Sequence, residues 1–116
     1  GKCFRLHGHQ WRVEVWIEGT ADERTGIVLD YNCIKEVVGQ FDHQVILNAD
    51  DPMAACIETF HPVVTTEGDP TSELLASLIA EMIDAEAARQ GRDARVAKVR
   101  VWESTTCYAE RTYDRQ

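Results

Sequence analysis

Residues 10–19 alternate with a period of two. Trp11, Val13, Val15 and Ile17 fall on one side, and Arg12, Glu14, Trp16 and Glu18 on the other. Side chains alternate faces in this way only along an extended chain. The pattern therefore predicts a strand with one face against a core and the other toward water, as in an antiparallel sheet. A strand of this kind cannot bury its apolar face alone. It needs further strands beside it and a layer across it.

The rest of the chain supplies both. Thr20–Gly26 carries Asp, Glu, Arg and Gly and reads as a turn, after which Ile27–Leu29 is expected to return as a short strand and make a hairpin. Asp30 is placed to cap a helix from Tyr31 to about Gln40, with Tyr31, Ile34, Val37, Val38 and Phe41 on its apolar side. Phe41–Asn48 is ambiguous. Ala49–Asp69 is a long connection with room for a short helix at Pro52–Glu58 and a strand at Pro62–Thr66. A second main helix is capped by Asp69 or Thr71 and runs to about Ala88. Its stripe is Leu74, Leu75, Leu78, Ile79, Met82 and Ile83. Ala94–Glu103 and Thr106–Tyr113 read as two closing strands. The order implies an α+β fold with helices on one side of an antiparallel sheet. Trp16, Tyr108 and Tyr113 put aromatic side chains on both sheet faces, which predicts a second subunit over the uncovered one.

At 116 residues the chain has the length of one domain. No apolar run approaches the roughly 20 residues of a membrane-spanning helix. Net charge is −8, from 20 acidic and 12 basic residues, and no basic block stands out. Both facts argue against a nucleic-acid partner. The four cysteines, Cys3, Cys33, Cys56 and Cys107, form no CxxC pair. A cysteine-rich zinc knuckle is therefore not expected, and free thiols in a reducing cytoplasm are.

Chemistry concentrates in a few places. His7 and His9 flank Gly8 and would share one face of an extended segment, able to hold one metal ion. Cys3 lies four residues upstream, as a ligand, a base or an inert small side chain; a nearby cation would favour its thiolate. Asp42–His43 is an acid beside an imidazole, suited to proton transfer if a turn or a partner subunit brings the two together. Glu103 closes a strand face of Val99 and Val101. A carboxylate there can accept two hydrogen bonds from a guanidine-like edge, with Thr105 and Thr106 beside it. His61, next to Pro62, reads as a surface residue.

Taken together, Lys2–His9, Leu29-Asp30-Tyr31, Asp42-His43 with Leu47-Asn48, Asp69–Glu73 and Glu103-Ser104-Thr105 resemble the 6-pyruvoyltetrahydropterin synthase family, in order and along essentially the whole chain. The branch they resemble most is 6-carboxytetrahydropterin synthase, of queuosine biosynthesis. The resemblance implies the tunnelling fold: a four-stranded antiparallel sheet with two helices on one face, three subunits closing a barrel and two trimers stacking into a homohexamer with interfacial sites. It implies zinc held by three histidines, of which His7 and His9 match two. Cys3 would be the base, Asp42 and His43 a proton relay, and Glu103 with Thr105 the pterin anchor. The substrate would be 7,8-dihydroneopterin triphosphate, converted with loss of triphosphate and acetaldehyde. A pyruvoyl product, aldol cleavage of dihydroneopterin, or a non-catalytic pterin- or purine-binding hexamer are the alternatives.

Two departures from the family pattern stand out. The strand and the histidine that precede the cysteine motif are absent from the 116 residues, so the chain is expected to be a domain lacking its first strand, with His61 a remote substitute ligand. The Ala49–Gly68 connection is also longer than in compact members.

Overall fold

A computed structural model describes residues 11–42 and 44–114. Eight elements follow in order: β1 (Arg12–Gly19), α1 (Tyr31–Gly39), β2 (Val45–Asn48), α2 (Pro52–Glu58), β3 (Val63–Thr66), α3 (Ser72–Arg89), β4 (Ala94–Trp102) and β5 (Tyr108–Thr112). The alternating segments form one antiparallel sheet in the order β1-β4-β5. Val13 lies opposite Val101 and Val15 opposite Val99, while Arg12 faces Trp102 and Glu14 faces Arg100.

The register breaks once. Trp16 pairs with Lys98 but Ile17 pairs with Val96, so Ala97 is an extra residue in β4. A bulge of this kind reverses the side-chain parity of the strand beyond it. Ala94, Val96, Val99 and Val101 consequently share the buried face despite their mixed numbering. The Val96 N–H donates to the Asp84 carboxylate of α3 at 2.7 Å, so the backbone group beside the bulge has a partner.

The helices cover that buried face. α3 presents Leu75, Ala76, Ile79, Ala80, Ile83 and Ala87, all buried, and the alanines let it approach β4 closely. Cys33 and Val37 of α1 complete the core, with Val13, Val15 and Ile17 packed against it. The caps are those the residues suggest. Asp30 accepts from Asn32 N–H at 2.8 Å and Thr71 from Leu74 N–H at 3.2 Å. Gly91, at φ +68°, ends α3 in the left-handed conformation that other residues adopt at a cost.

One expected strand does not form. Ile27–Leu29 has no ladder partner. The Asp22 carboxylate instead closes a tight turn on the amides of Arg24 and Thr25. The Arg92 guanidinium then takes the carbonyls of Thr20, Ile27 and Val28 at 2.8–3.2 Å. Carbonyls held by a side chain are unavailable to a neighbouring strand, so the segment is a clamped loop that delivers Leu29 to the core. The described sheet therefore has three strands, with no hairpin between Thr20 and Leu29. The ambiguous 45–48 segment is a strand, paired in parallel with β3, and α2 packs on both. Three helices result: α3 lies on the main sheet, α1 packs against α3, and α2 lies on β2 and β3.

Replacing Arg92 by Met should remove these charge-assisted bonds and destabilise the protein by about 2–4 kcal/mol, read from urea unfolding midpoints. An unchanged midpoint would show that the clamp contributes nothing. Gly19→Ala should also destabilise, because a Cβ there would lie 2.1 Å from the Asp93 carbonyl oxygen.

Candidate functional site

Cys3, His7, His9 and His43 lie outside the described residues. Asp42, Glu103 and Thr105 are described, and all three are exposed.

Glu103 and Thr105 sit in the loop that turns β4 into β5. The last ladder pair is Trp102 opposite Tyr108. Beyond it the Glu103 N–H donates to the Cys107 carbonyl at 3.0 Å. Ser104 organises the loop: its Oγ accepts the N–H groups of Thr106 and Cys107 at 3.3 and 3.1 Å. Among the described residues, the Glu103 carboxylate and the Thr105 amide and hydroxyl take no hydrogen bond. These are the polar groups the loop leaves for solvent or a ligand. Ser104 was not singled out from the sequence as an organiser. A serine followed by two amides it can reach is the signal for such a turn.

Topology fixes what else shares this end of the sheet. β1 begins at Arg12 opposite Trp102, so the chain enters β1 beside the Glu103 loop. α1 starts near Arg92, at the opposite end, because Arg92 binds the Val28 carbonyl. It runs along the second half of α3, and Asp42 follows its C-terminus. Asp42 N–H donates to the Gly39 carbonyl at 3.2 Å in the closing turn. Among the described residues Glu103 and Thr105 share one loop, and Asp42 makes no hydrogen bond to either.

Among the described residues no group of three or more His, Cys, Asp and Glu side chains could hold a metal ion. His61 is exposed, with Nδ1 2.7 Å from the Pro62 carbonyl oxygen. The donor chemistry that fits zinc is the imidazole pair His7 and His9.

Asn48 and Asp69 are the other meeting of motif residues: Asn48 Nδ2 donates to Asp69 Oδ1 at 3.1 Å, across the intervening α2-β3 segment. A groove also opens between α1 and α3, lined by Cys33, Glu36, Val37, Met82, Glu86 and Arg89. It lies on the helix side and contains none of the residues singled out for chemistry. Burial, then the Glu86, Glu36 and Asp30 carboxylates, push the Cys33 thiol up, which disfavours its reactive form.

The chain matches the family model of 6-pyruvoyl tetrahydropterin synthase over residues 1–114. It belongs to that family. A Pyrococcus abyssi protein provisionally named a 6-carboxy-5,6,7,8-tetrahydropterin synthase is 35% identical, the match covering 96% of this chain and 76% of that one. The 6-carboxy-5,6,7,8-tetrahydropterin synthase of Rickettsia felis is 30% identical, covering 94% and 84%. Among solved structures, an uncharacterized protein from Wolinella succinogenes superposes with a TM-score of 0.76 at 23% identity, covering 97% of this chain and 82% of that one. Plasmodium vivax 6-pyruvoyltetrahydropterin synthase superposes with a TM-score of 0.58 at 22% identity, covering 94% and 83%. These structures establish the shared fold. No described helix is long and apolar enough to cross a membrane.

The Arg89 guanidinium, with Gln90, holds the Glu86 carboxyl at about 2 rather than 4.5. A carboxylate whose pKa falls on folding stabilises the fold at pH values above its unfolded pKa, and the effect fades as pH drops toward the folded pKa. Wild type should therefore be more stable than Glu86→Gln above pH 4.5, with the difference in thermal midpoint shrinking between pH 4.5 and 2. A constant difference across that range would contradict the assignment.

Proposed function

We propose that this chain is a zinc-dependent 6-carboxytetrahydropterin synthase. It converts 7,8-dihydroneopterin triphosphate and water to 6-carboxy-5,6,7,8-tetrahydropterin, acetaldehyde and triphosphate, in the cytoplasm and in the 7-deazapurine (queuosine) pathway. The observation that carries the reading is the Glu103 loop. It offers an unpaired carboxylate and an adjacent free amide at the end of the sheet where β1 begins. The pterin ring presents a 2-amino group and an N3–H along one edge. A fixed carboxylate accepts both, with the charge-assisted geometry that guanidine-like groups favour. Thr105 adds a donor beside it.

The reacting groups come from the segment ahead of β1. His9 precedes Arg12 by three residues, a covalent reach of about 10 Å, so it is tethered to the end of the sheet that carries Glu103. His7 and His9 would hold zinc together with a third ligand. When bound, zinc lowers the pKa of hydroxyls that ligate it. Cys3 takes a proton from the substrate side chain as the base. Asp42 and His43 return one from the other side, and a partner subunit brings them into reach. This places the site between subunits, in a homohexamer built as a dimer of trimers. The domain would be a four-stranded tunnelling fold. The 6-pyruvoyl product is the second reading, since the solved Plasmodium relatives carry that name.

Mass spectrometry of the products from 7,8-dihydroneopterin triphosphate tests the reading. Acetaldehyde with 6-carboxytetrahydropterin is expected, and a retained pyruvoyl side chain would select the alternative. Cys3→Ala should lower turnover about 10²–10⁴-fold, the usual contribution of a general base, while zinc content by elemental analysis is unchanged. Full turnover by that variant would remove Cys3 from the mechanism.

A further inference from the structure

The sheet face away from the helices is a connected set of side chains that ends at Glu103. Trp102, the residue immediately before it, is the centre. Its Nε1–H donates to Glu14 Oε1 on β1 at 2.7 Å. Its ring meets Tyr108, its ladder partner on β5, with centroids 4.5 Å apart and planes inclined at 50°. The Arg12 guanidinium lies 5.2 Å from its centroid. Arg100 lies 4.4 Å from the Tyr108 ring and is fixed by Glu110 at 2.7 Å. Trp102 therefore touches both neighbouring strands at once, at the last rung before the chain leaves the sheet.

The loop beyond that rung has little else to hold it. Residues 103–107 bond among themselves, through Ser104 and the Glu103–Cys107 backbone pair. Among the described residues no hydrogen bond or ion pair ties the loop to another element, so its direction is inherited from the Trp102–Tyr108 rung. A short self-contained loop is only as well oriented as the pair that closes it, and a carboxylate that must meet two donors at once tolerates little misplacement.

We propose that Trp102, latched to Glu14 and packed against Tyr108, is the positioning residue that aims the Glu103 carboxylate at the pterin edge. The inference rests on the reading of Glu103 as the pterin anchor. The Trp102 bond also lowers the Glu14 carboxyl from its ordinary value. Phe in place of Trp102 keeps an aromatic ring against Tyr108 and loses the latch. Gln in place of Glu14 keeps an acceptor for the indole, and Ala does not.

The test is equilibrium binding of neopterin to the zinc-loaded full chain, followed by pterin fluorescence, with KM and kcat for dihydroneopterin triphosphate alongside. Trp102→Phe and Glu14→Ala should each weaken neopterin binding about 5–10-fold and raise KM similarly, with kcat within about twofold, as for loss of ground-state orientation. The double variant should be no worse than either single one, and Glu14→Gln should bind as wild type. Glu103→Ala is the control for the underlying reading. If it loses neopterin binding while Trp102→Phe and Glu14→Ala keep it, the positioning role is overturned and the anchor stands. If Glu103→Ala binds as wild type, the anchor itself is wrong. Should Trp102→Phe fold poorly, Glu14→Ala, a change at the sheet surface, decides the matter alone. If thermal midpoints fall while binding by the folded protein is unchanged, the latch is structural only, and the proposal fails.

Discussion

Everything in this chain depends on how β4 divides its two faces. It is the central strand, paired on one side with β1 and on the other with β5. Val96, Val99 and Val101 are fully buried against α3, and losing any of them would open a cavity in a close-packed layer. Lys98, Arg100 and Trp102 go to the opposite face, where cations lie over aromatic rings and carboxylates tie the strands together. The bulge at Ala97 is what lets Ala94 and Val96 stay with the valines. Asp84 satisfies the amide exposed beside it, so the core helix and the irregularity of the strand depend on each other.

The site grows from the same strand. β4 ends at the rung that carries the Glu103 loop, and β1 begins there as well. The proposed anchor for a flat heterocycle and the entry of the histidine-bearing segment thus share one sheet end. Rigid strands supply the direction and a short loop supplies the chemistry, an arrangement that places ligand groups on loops without making them wander. The opposite end of the sheet is given over to structure. There Arg92 clamps the loop ahead of α1 and Gly91 ends α3.

Much of the fold was legible because period and capping are local signals. Arg12–Gly19, the Asp30 and Thr71 caps, the Pro52–Glu58 helix and the two final strands are all where their residues suggested, to within one or two positions. The Ile27–Leu29 strand was not, because its carbonyls are taken by Arg92, more than 60 positions away, and no local pattern reports such a partner. The 45–48 strand was ambiguous since a run of only three apolar residues fits either period; its β3 partner lies across a whole helix. Ala76 and Ala80, fully buried, were missed as core because small residues carry little apolar signal. For the site, Glu103 and Thr105 were legible as a carboxylate and hydroxyl at a strand end. Ser104 and Trp102 were not, since their roles appear only when the loop closes and the strands align. The expectations for Cys3, His7, His9 and His43 fall on residues outside those described.

The central claim is that the Glu103 loop holds the pterin. The most direct measurement is a crystal structure of the zinc-loaded protein with neopterin bound. The Glu103 carboxylate should lie within hydrogen-bonding distance of both the 2-amino group and N3 of the pterin, with Thr105 beside it. A pterin bound elsewhere, such as in the groove between α1 and α3, with Glu103 still facing solvent, would contradict it.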